Sequence, residues 1–90
     1  MFTINPITLN KCFLISVINQ SDNRGFFTKI YNKEVFKNLG LETNFCEHYI
    51  TKSNHSVLRG MHFQVPPLDH TKLVTCLTGE VLDVLVDLRV

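Results

Sequence analysis

An imidazole, a guanidinium and an ammonium group fall within fifteen residues, in Leu58-Arg59-Gly60-Met61-His62-Phe63-Gln64 and the Lys72-Leu73-Val74 that follows. Both runs lie in sequence that otherwise reads as buried β-strand, where side chains are held rigidly and alternate between faces. A base active near neutral pH, flanked by two cations, suits an anionic ligand that carries an acidic C–H bond. In this reading His62 takes the proton, a contribution of roughly 10²–10⁴ in rate for a positioned general base. Lys72 polarises the carbonyl and steadies the enolate; losing one such oxyanion donor typically costs about 3 kcal/mol of transition-state stabilisation. Arg59 and Arg24 are candidates for phosphate oxygens, which guanidinium binds through two parallel hydrogen bonds. Gly60 lets the backbone approach closely between Arg59 and His62.

Each of these residues has an ordinary alternative. A lone histidine in apolar surroundings also occurs as a packed core or surface residue. Lys72 follows a turn, as a surface lysine with its stem on apolar neighbours does. Arg24, beside Gly25 in a polar loop, also reads as a solvated charge. A catalytic imidazole needs an acceptor behind it to set its tautomer; none is close in sequence, and Asp83 and Asp87 are the candidates. Phe26-Phe27 suits stacking on a nucleobase, and equally ordinary strand core. His48, His55, His62 and His70 raise the question of a metal. H-x-H spacing and H-E-x-x-H are both absent, and Gln64, on the strand face of His62, is a poor zinc ligand, so no metal is expected.

The elements that must position these groups are mostly strands. Residues 7–9 and 12–18 are strand candidates around an Asn10-Lys11 turn. Residues 20–25 form a turn-rich loop, and residues 26–31 a short strand. Asn32 caps a helix over residues 33–39, with Glu34 in its first turn and Gly40 at its end. Further strands are expected at residues 43–52, 57–58, 72–77 and 81–90, with a tight hairpin at Thr78-Gly79-Glu80. In the last strand Leu82, Val84, Val86 and Leu88 share one face, while Asp83 and Asp87 lie on the other with Val81, Leu85 and Arg89. Short strands and a polar-lined interior point to a barrel or jelly roll; the alternative is a solvent-facing sheet surface.

Ninety residues allow at most one small domain. The composition, 44% hydrophobic and 19% charged, is that of a globular chain. A net charge of +1 carries no nucleic-acid or membrane signal. No apolar run approaches the roughly 18 residues of a membrane span, and the N-terminus lacks the basic and apolar regions of a secretion signal. Cys12, Cys46 and Cys76 are odd in number and widely spaced, which implies a reduced, cytoplasmic protein with packed thiols. The apolar run at residues 81–90 would be an aggregation-prone edge if unpaired. It therefore implies either part of a longer sheet protein or a strand that pairs with another chain.

Together these residues resemble the N-terminal half of the dTDP-4-dehydrorhamnose 3,5-epimerase family. The matching segments are Asn23-Arg24-Gly25-Phe26-Phe27, Val57-Leu58-Arg59-Gly60-Met61-His62-Phe63-Gln64, Pro66-Pro67 and Lys72-Leu73-Val74. The match continues through Gly79-Glu80-Val81, Asp83-Val84 and Val86-Asp87-Leu88-Arg89. The resemblance implies a cupin-type double-stranded β-helix, or jelly roll, present in residues 1–90 as a partial barrel with one short helix. It implies action on a nucleotide-linked 4-keto-hexose in deoxysugar biosynthesis, as a homodimer, without metal or organic cofactor. His62 matches the catalytic base, Lys72 the enolate-stabilising lysine and Arg59 a diphosphate contact. Arg24 matches an arginine that reaches the neighbouring subunit's nucleotide, and Phe26 lies in the base-stacking segment.

Two departures qualify what is carried over. The family usually runs to about twice this length, and its tyrosine acid, its base-orienting carboxylate and a second histidine lie in the other half. Tyr31 and Tyr49 do not match that tyrosine, so the chain is expected to be catalytically incomplete. At the nucleotide end Lys29 stands where Glu is usual, Glu47 where Gln is usual and Tyr49 where Asn is usual, so Glu47 is a candidate substrate contact with altered chemistry. Replacing an acceptor by Lys29 implies a weakened preference for thymine. The alternatives are a cupin that binds sugar nucleotide without catalysis, a degenerate remnant, and a single-carbon epimerase or ketoisomerase on a related sugar.

Overall fold

In the computed structural model, which describes residues 2–5 and 7–89, regular secondary structure is confined to the N-terminal part. The order is β1 (Phe2–Asn5), β2 (Leu14–Val17), β3 (Asn19–Asp22), β4 (Gly25–Thr28) and α1 (Lys33–Asn38). The strands form two separate antiparallel pairs, β1 with β2 and β3 with β4. The regular structure is thus mostly strand with one short helix, as expected, in small antiparallel sheets.

The first pair is set by side-chain matching. Phe2 faces Val17 and Ile4 faces Ile15, so apolar residues two apart meet across the strands on one face. Asn5 secures the open end, its Nδ2 donating to the Leu14 carbonyl at 3.2 Å and to Ser16 Oγ at 2.7 Å. Residues 7–9, the expected first strand, are not in a strand; β1 lies earlier in the chain. Asn10-Lys11 does turn, with Lys11 at φ +59°.

The second pair is a hairpin whose two-residue connection is Asn23-Arg24. Asp22 pairs with Gly25 and Asn19 with Thr28. An Asp22 carboxylate oxygen accepts from the Arg24 backbone N–H at 2.8 Å, the local bond by which Asp initiates turns. Gly25, at φ +133°, takes a backbone angle that a side chain would resist. At the far end the Thr28 hydroxyl donates to the Asn19 side-chain oxygen. Four of the six residues of the expected 20–25 loop are therefore strand.

Helix α1 forms where expected, one residue shorter. The Asn32 side-chain oxygen accepts from the Val35 N–H at 3.0 Å, satisfying one of the donors left free at a helix start. At the other end Leu41 N–H donates to Phe36 O (2.9 Å) and Gly40 N–H to Lys37 O (3.1 Å), with Gly40 at φ +74°. That pair of bonds is a Schellman stop.

The helix matters because it carries Phe36, which is only 2% exposed and is the sole buried side chain among the described residues. Phe2 meets its ring edge-on at a centroid distance of 5.3 Å, and Tyr31 at 4.8 Å. Tyr31 in turn meets Phe45 at 5.5 Å and donates its hydroxyl to the Thr43 carbonyl at 3.3 Å. This aromatic chain ties β1, α1 and the start of the following segment together, each pair adding about 0.5–1.5 kcal/mol beyond area burial.

The strands expected at residues 43–52, 57–58, 72–77 and 81–90 are absent among the described residues, and Val90 lies outside them. Thr78-Gly79 does bend, and Cys76 Sγ reaches the carbonyls of Thr78 (3.3 Å) and Gly79 (3.6 Å), but no strands flank it. Alternating β-forming residues make a strand only when a neighbour accepts its backbone hydrogen bonds, and among the described residues none does. Both faces of the last run are open: Leu82 is 91% exposed and Leu85 53%. The radius of gyration is 15.1 Å, against about 12 Å for a compact domain of this length. The expectation of packed thiols fails for the same reason. All three cysteines are free, and Cys46 and Cys76 are exposed.

Candidate active site

His62 and Lys72 line one open recess of about 270 Å³, together with Phe63, Gln64, Asp69 and His70. These residues lie on irregular chain on either side of a turn in which Leu68 N–H donates to Val65 O at 2.9 Å. Pro66 and Pro67, with φ restricted by their rings, stiffen that turn. It folds the segment carrying His62 back against the segment carrying Lys72. The base and the ammonium group singled out from sequence are therefore brought together by a local reversal of chain.

Gly60 serves the same site. Its φ is +115°, and a Cβ placed there would stand 3.4 Å from Nδ1 of His62. A side chain at residue 60 would thus come into van der Waals contact with the imidazole.

The other candidates are elsewhere. Arg59 does not line the recess; it donates from Nε to Ser53 Oγ at 2.8 Å and from Nη2 to the Lys52 carbonyl at 3.3 Å. Arg24 grips Asp22, with Nη2 2.6 Å from Oδ2 and Nε 3.2 Å from the same oxygen. Its guanidinium holds the Asp22 carboxyl below the ordinary carboxylate range, and the carboxylate raises Arg24 in return. Phe26, on the same hairpin, is 73% exposed, and Glu47 is exposed. None of these four lines the recess.

Asp87, one of the carboxylates considered as an orienting partner for His62, is engaged by Arg89. Arg89 Nε donates to Oδ1 at 2.8 Å and Nη2 to Oδ2 at 2.9 Å. The same Nη2 reaches the Asn10 carbonyl at 2.5 Å, across 79 residues of chain. The Asp87 carboxyl is accordingly lowered from 3.8 to about 2, chiefly by the Arg89 side-chain bonds. The carboxylate in the recess is Asp69. Asp69 was not singled out from sequence and His70 was weighed only as a metal ligand; the signal available was their position just ahead of Lys72, beyond the Pro66-Pro67 turn. Among the described residues no three of His, Cys, Asp and Glu come together in a way that could hold a metal ion. No helix among them is long and apolar enough to cross a membrane.

By architecture this is a chain whose regular structure is mostly β, with a polar, histidine-bearing recess on its irregular part. The sequence profile of dTDP-4-dehydrorhamnose 3,5-epimerase matches residues 6–90, and the chain belongs to that family. The dTDP-4-dehydrorhamnose 3,5-epimerase of Shigella flexneri is 45% identical over 69 residues, covering 76% of this chain and 38% of the relative. That of Methanothermobacter thermautotrophicus is 38% identical over 88 residues, or 98% of this chain and 47% of the relative. The dTDP-4-dehydrorhamnose 3-epimerase of Streptomyces niveus is 33% identical over 88 residues, or 97% and 42%. The chain spans less than half the length of these curated relatives. No solved structure matches it.

Proposed function

We propose that this chain supplies the base and the enolate-stabilising cation of a nucleotide-sugar epimerase acting on a dTDP-4-keto-6-deoxyhexose. The observation that carries the reading is the placement of His62 and Lys72 on one recess. The 4-carbonyl acidifies the C–H bonds on its neighbouring carbons, C3 and C5. His62 takes one of these protons, the C–H electron pair moves into the enolate, and the Lys72 ammonium stabilises the charge that develops on the carbonyl oxygen. Return of a proton from the opposite face inverts the carbon.

In this reading residues 1–90 are the N-terminal portion of one cupin-type jelly roll, whose further strands pair with those that residues 43–52, 72–77 and 81–90 are patterned to form. The assembled protein is a homodimer. Arg59 contacts the diphosphate, after releasing Ser53. Arg24, Phe26 and Glu47 serve the nucleotide. Lys29, which offers only donors, weakens the preference for thymine; calorimetry should give similar affinities for dTDP, UDP, CDP and GDP, and strong dTDP selectivity would count against that reading. Inversion at one carbon alone is a second reading; one relative, 33% identical, is named as a 3-epimerase.

The test is hydrogen exchange in D₂O. A chimera in which this chain replaces the matching 47% of the Methanothermobacter relative should incorporate deuterium at C3 or C5 of the keto sugar nucleotide. His62→Gln should slow that by roughly 10²–10⁴ and Lys72→Met by roughly 10²–10³. The 90-residue chain by itself should give no inverted product, since the tyrosine acid of the family, which returns the proton from the opposite face, has no counterpart in it. A folded chimera whose exchange is indifferent to His62 would reject the proposal.

A further inference from the structure

The recess that holds His62 and Lys72 holds a second imidazole, and its hydrogen bonding is already defined on one side. Nδ1 of His70 lies 3.1 Å from the Leu68 carbonyl oxygen. A carbonyl can only accept, so Nδ1 is the donor and Nε2 is the nitrogen left for a ligand. Leu68 is itself fixed by its N–H bond to Val65 O, 2.9 Å, across the two prolines. The ring is therefore anchored through its own backbone turn.

The size of the recess limits what meets that nitrogen. At about 270 Å³ it falls just below the roughly 300–1,000 Å³ of pockets that enclose a drug-sized ligand. It has room for one sugar ring, not for a whole nucleotide sugar. A hexose presents hydroxyl groups that need partners when they leave water. With His62 assigned to the C–H proton and Lys72 to the carbonyl oxygen, the groups left for hydroxyls are Gln64, Asp69 and His70.

We propose that His70 is a further substrate-contacting residue of this chain, whose Nε2 accepts a hydrogen bond from a hydroxyl of the hexose and so orients the ring against His62. This rests on the reading of the recess as the site of the keto-hexose. It adds a residue that neither composition nor spacing had singled out as part of the site.

The experiment uses the intact chain, with dTDP-glucose as a hexose-bearing probe that carries no ketone and dTDP as a probe that carries no hexose. Side-chain nitrogen NMR should show dTDP-glucose moving the signals of His62, Lys72 and His70, with the His70 change at Nε2. His70→Ala should weaken dTDP-glucose roughly 3- to 10-fold, the effect of losing one hydrogen bond, and leave dTDP binding unchanged. His70→Gln, which restores a polar group of similar reach, should recover most of the loss. If His62 and Lys72 respond but His70 is silent, or His70→Ala weakens both probes equally, the role of His70 is overturned and the site reading stands. If none of the three responds, the site reading falls and the role of His70 with it.

Discussion

Gly60 borders His62: a Cβ on residue 60 would stand 3.4 Å from the Nδ1 of the imidazole, at van der Waals contact. At φ +115° residue 60 is also in a region that side chains rarely adopt. Gly60→Ala should therefore act on the position of His62. The surrounding segment is exposed and makes no strand, so it can shift, and the effect on stability should stay within about 0.5 kcal/mol. The His62 ring resonances should move while those of the β3–β4 hairpin do not. An unaltered His62 spectrum would mean that the glycine is not needed there.

Phe36 is the opposite case. It is the one side chain among the described residues that is fully withdrawn from water, and the rings of Phe2 and Tyr31 both meet it. Truncating a buried Phe to Ala typically costs about 3–5 kcal/mol, which is a large part of the stability of any small domain. Phe36→Ala should abolish the near-ultraviolet circular dichroism of the aromatic cluster and the cooperative thermal transition together. Retention of both would show that the cluster is not the organising core.

The Asp87–Arg89 pair, reaching Asn10, is the longest-range side-chain tie in sequence among the described residues. Its carboxyl is lowered from 3.8 to about 2. A depressed carboxyl contributes stability that is fully present above its unfolded value and is lost as pH falls through the folded one. The tie should thus hold at pH 4 and loosen between 3.8 and about 2. Carboxyl-carbon NMR should give Asp87 a midpoint near 2, and Arg89→Gln should return it towards 3.8. A midpoint near 3.8 in the unaltered chain would show that the pair does not persist in solution.

Asp22 occupies the guanidinium proposed for the nucleotide end. Asp22→Asn keeps an oxygen for the Arg24 backbone N–H, and so keeps the turn, but removes the charge that holds the Arg24 side chain. Inorganic pyrophosphate should then bind roughly 2- to 5-fold more tightly, within the worth of one hydrogen bond, and Arg24→Gln should cancel the gain. Equal affinity with Asp and Asn at position 22 would remove Arg24 from the anion-binding groups.

Features that depend only on near neighbours were legible in the residues alone. The Asn32 cap, the Gly40 stop and the turn at residues 23–25 are each closed by bonds between residues no more than five apart. The roles open to His62 and Lys72 also follow from residue type and spacing, and the reversal at Pro66-Pro67 that joins them is local. Tertiary structure decided the rest. The alternation at residues 43–52, 72–77 and 81–89 is a capacity for strand, and a strand exists only where a neighbour completes its backbone hydrogen bonds. Phe2–Asn5 became β1 because it could match Leu14–Val17, a choice that no reading of residues 2–5 alone can make. Likewise Arg59 and Arg24 have the chemistry for phosphate, but Ser53 and Asp22 claim them here. Propensity is written residue by residue; which donor meets which acceptor is settled only when the chain has folded back on itself.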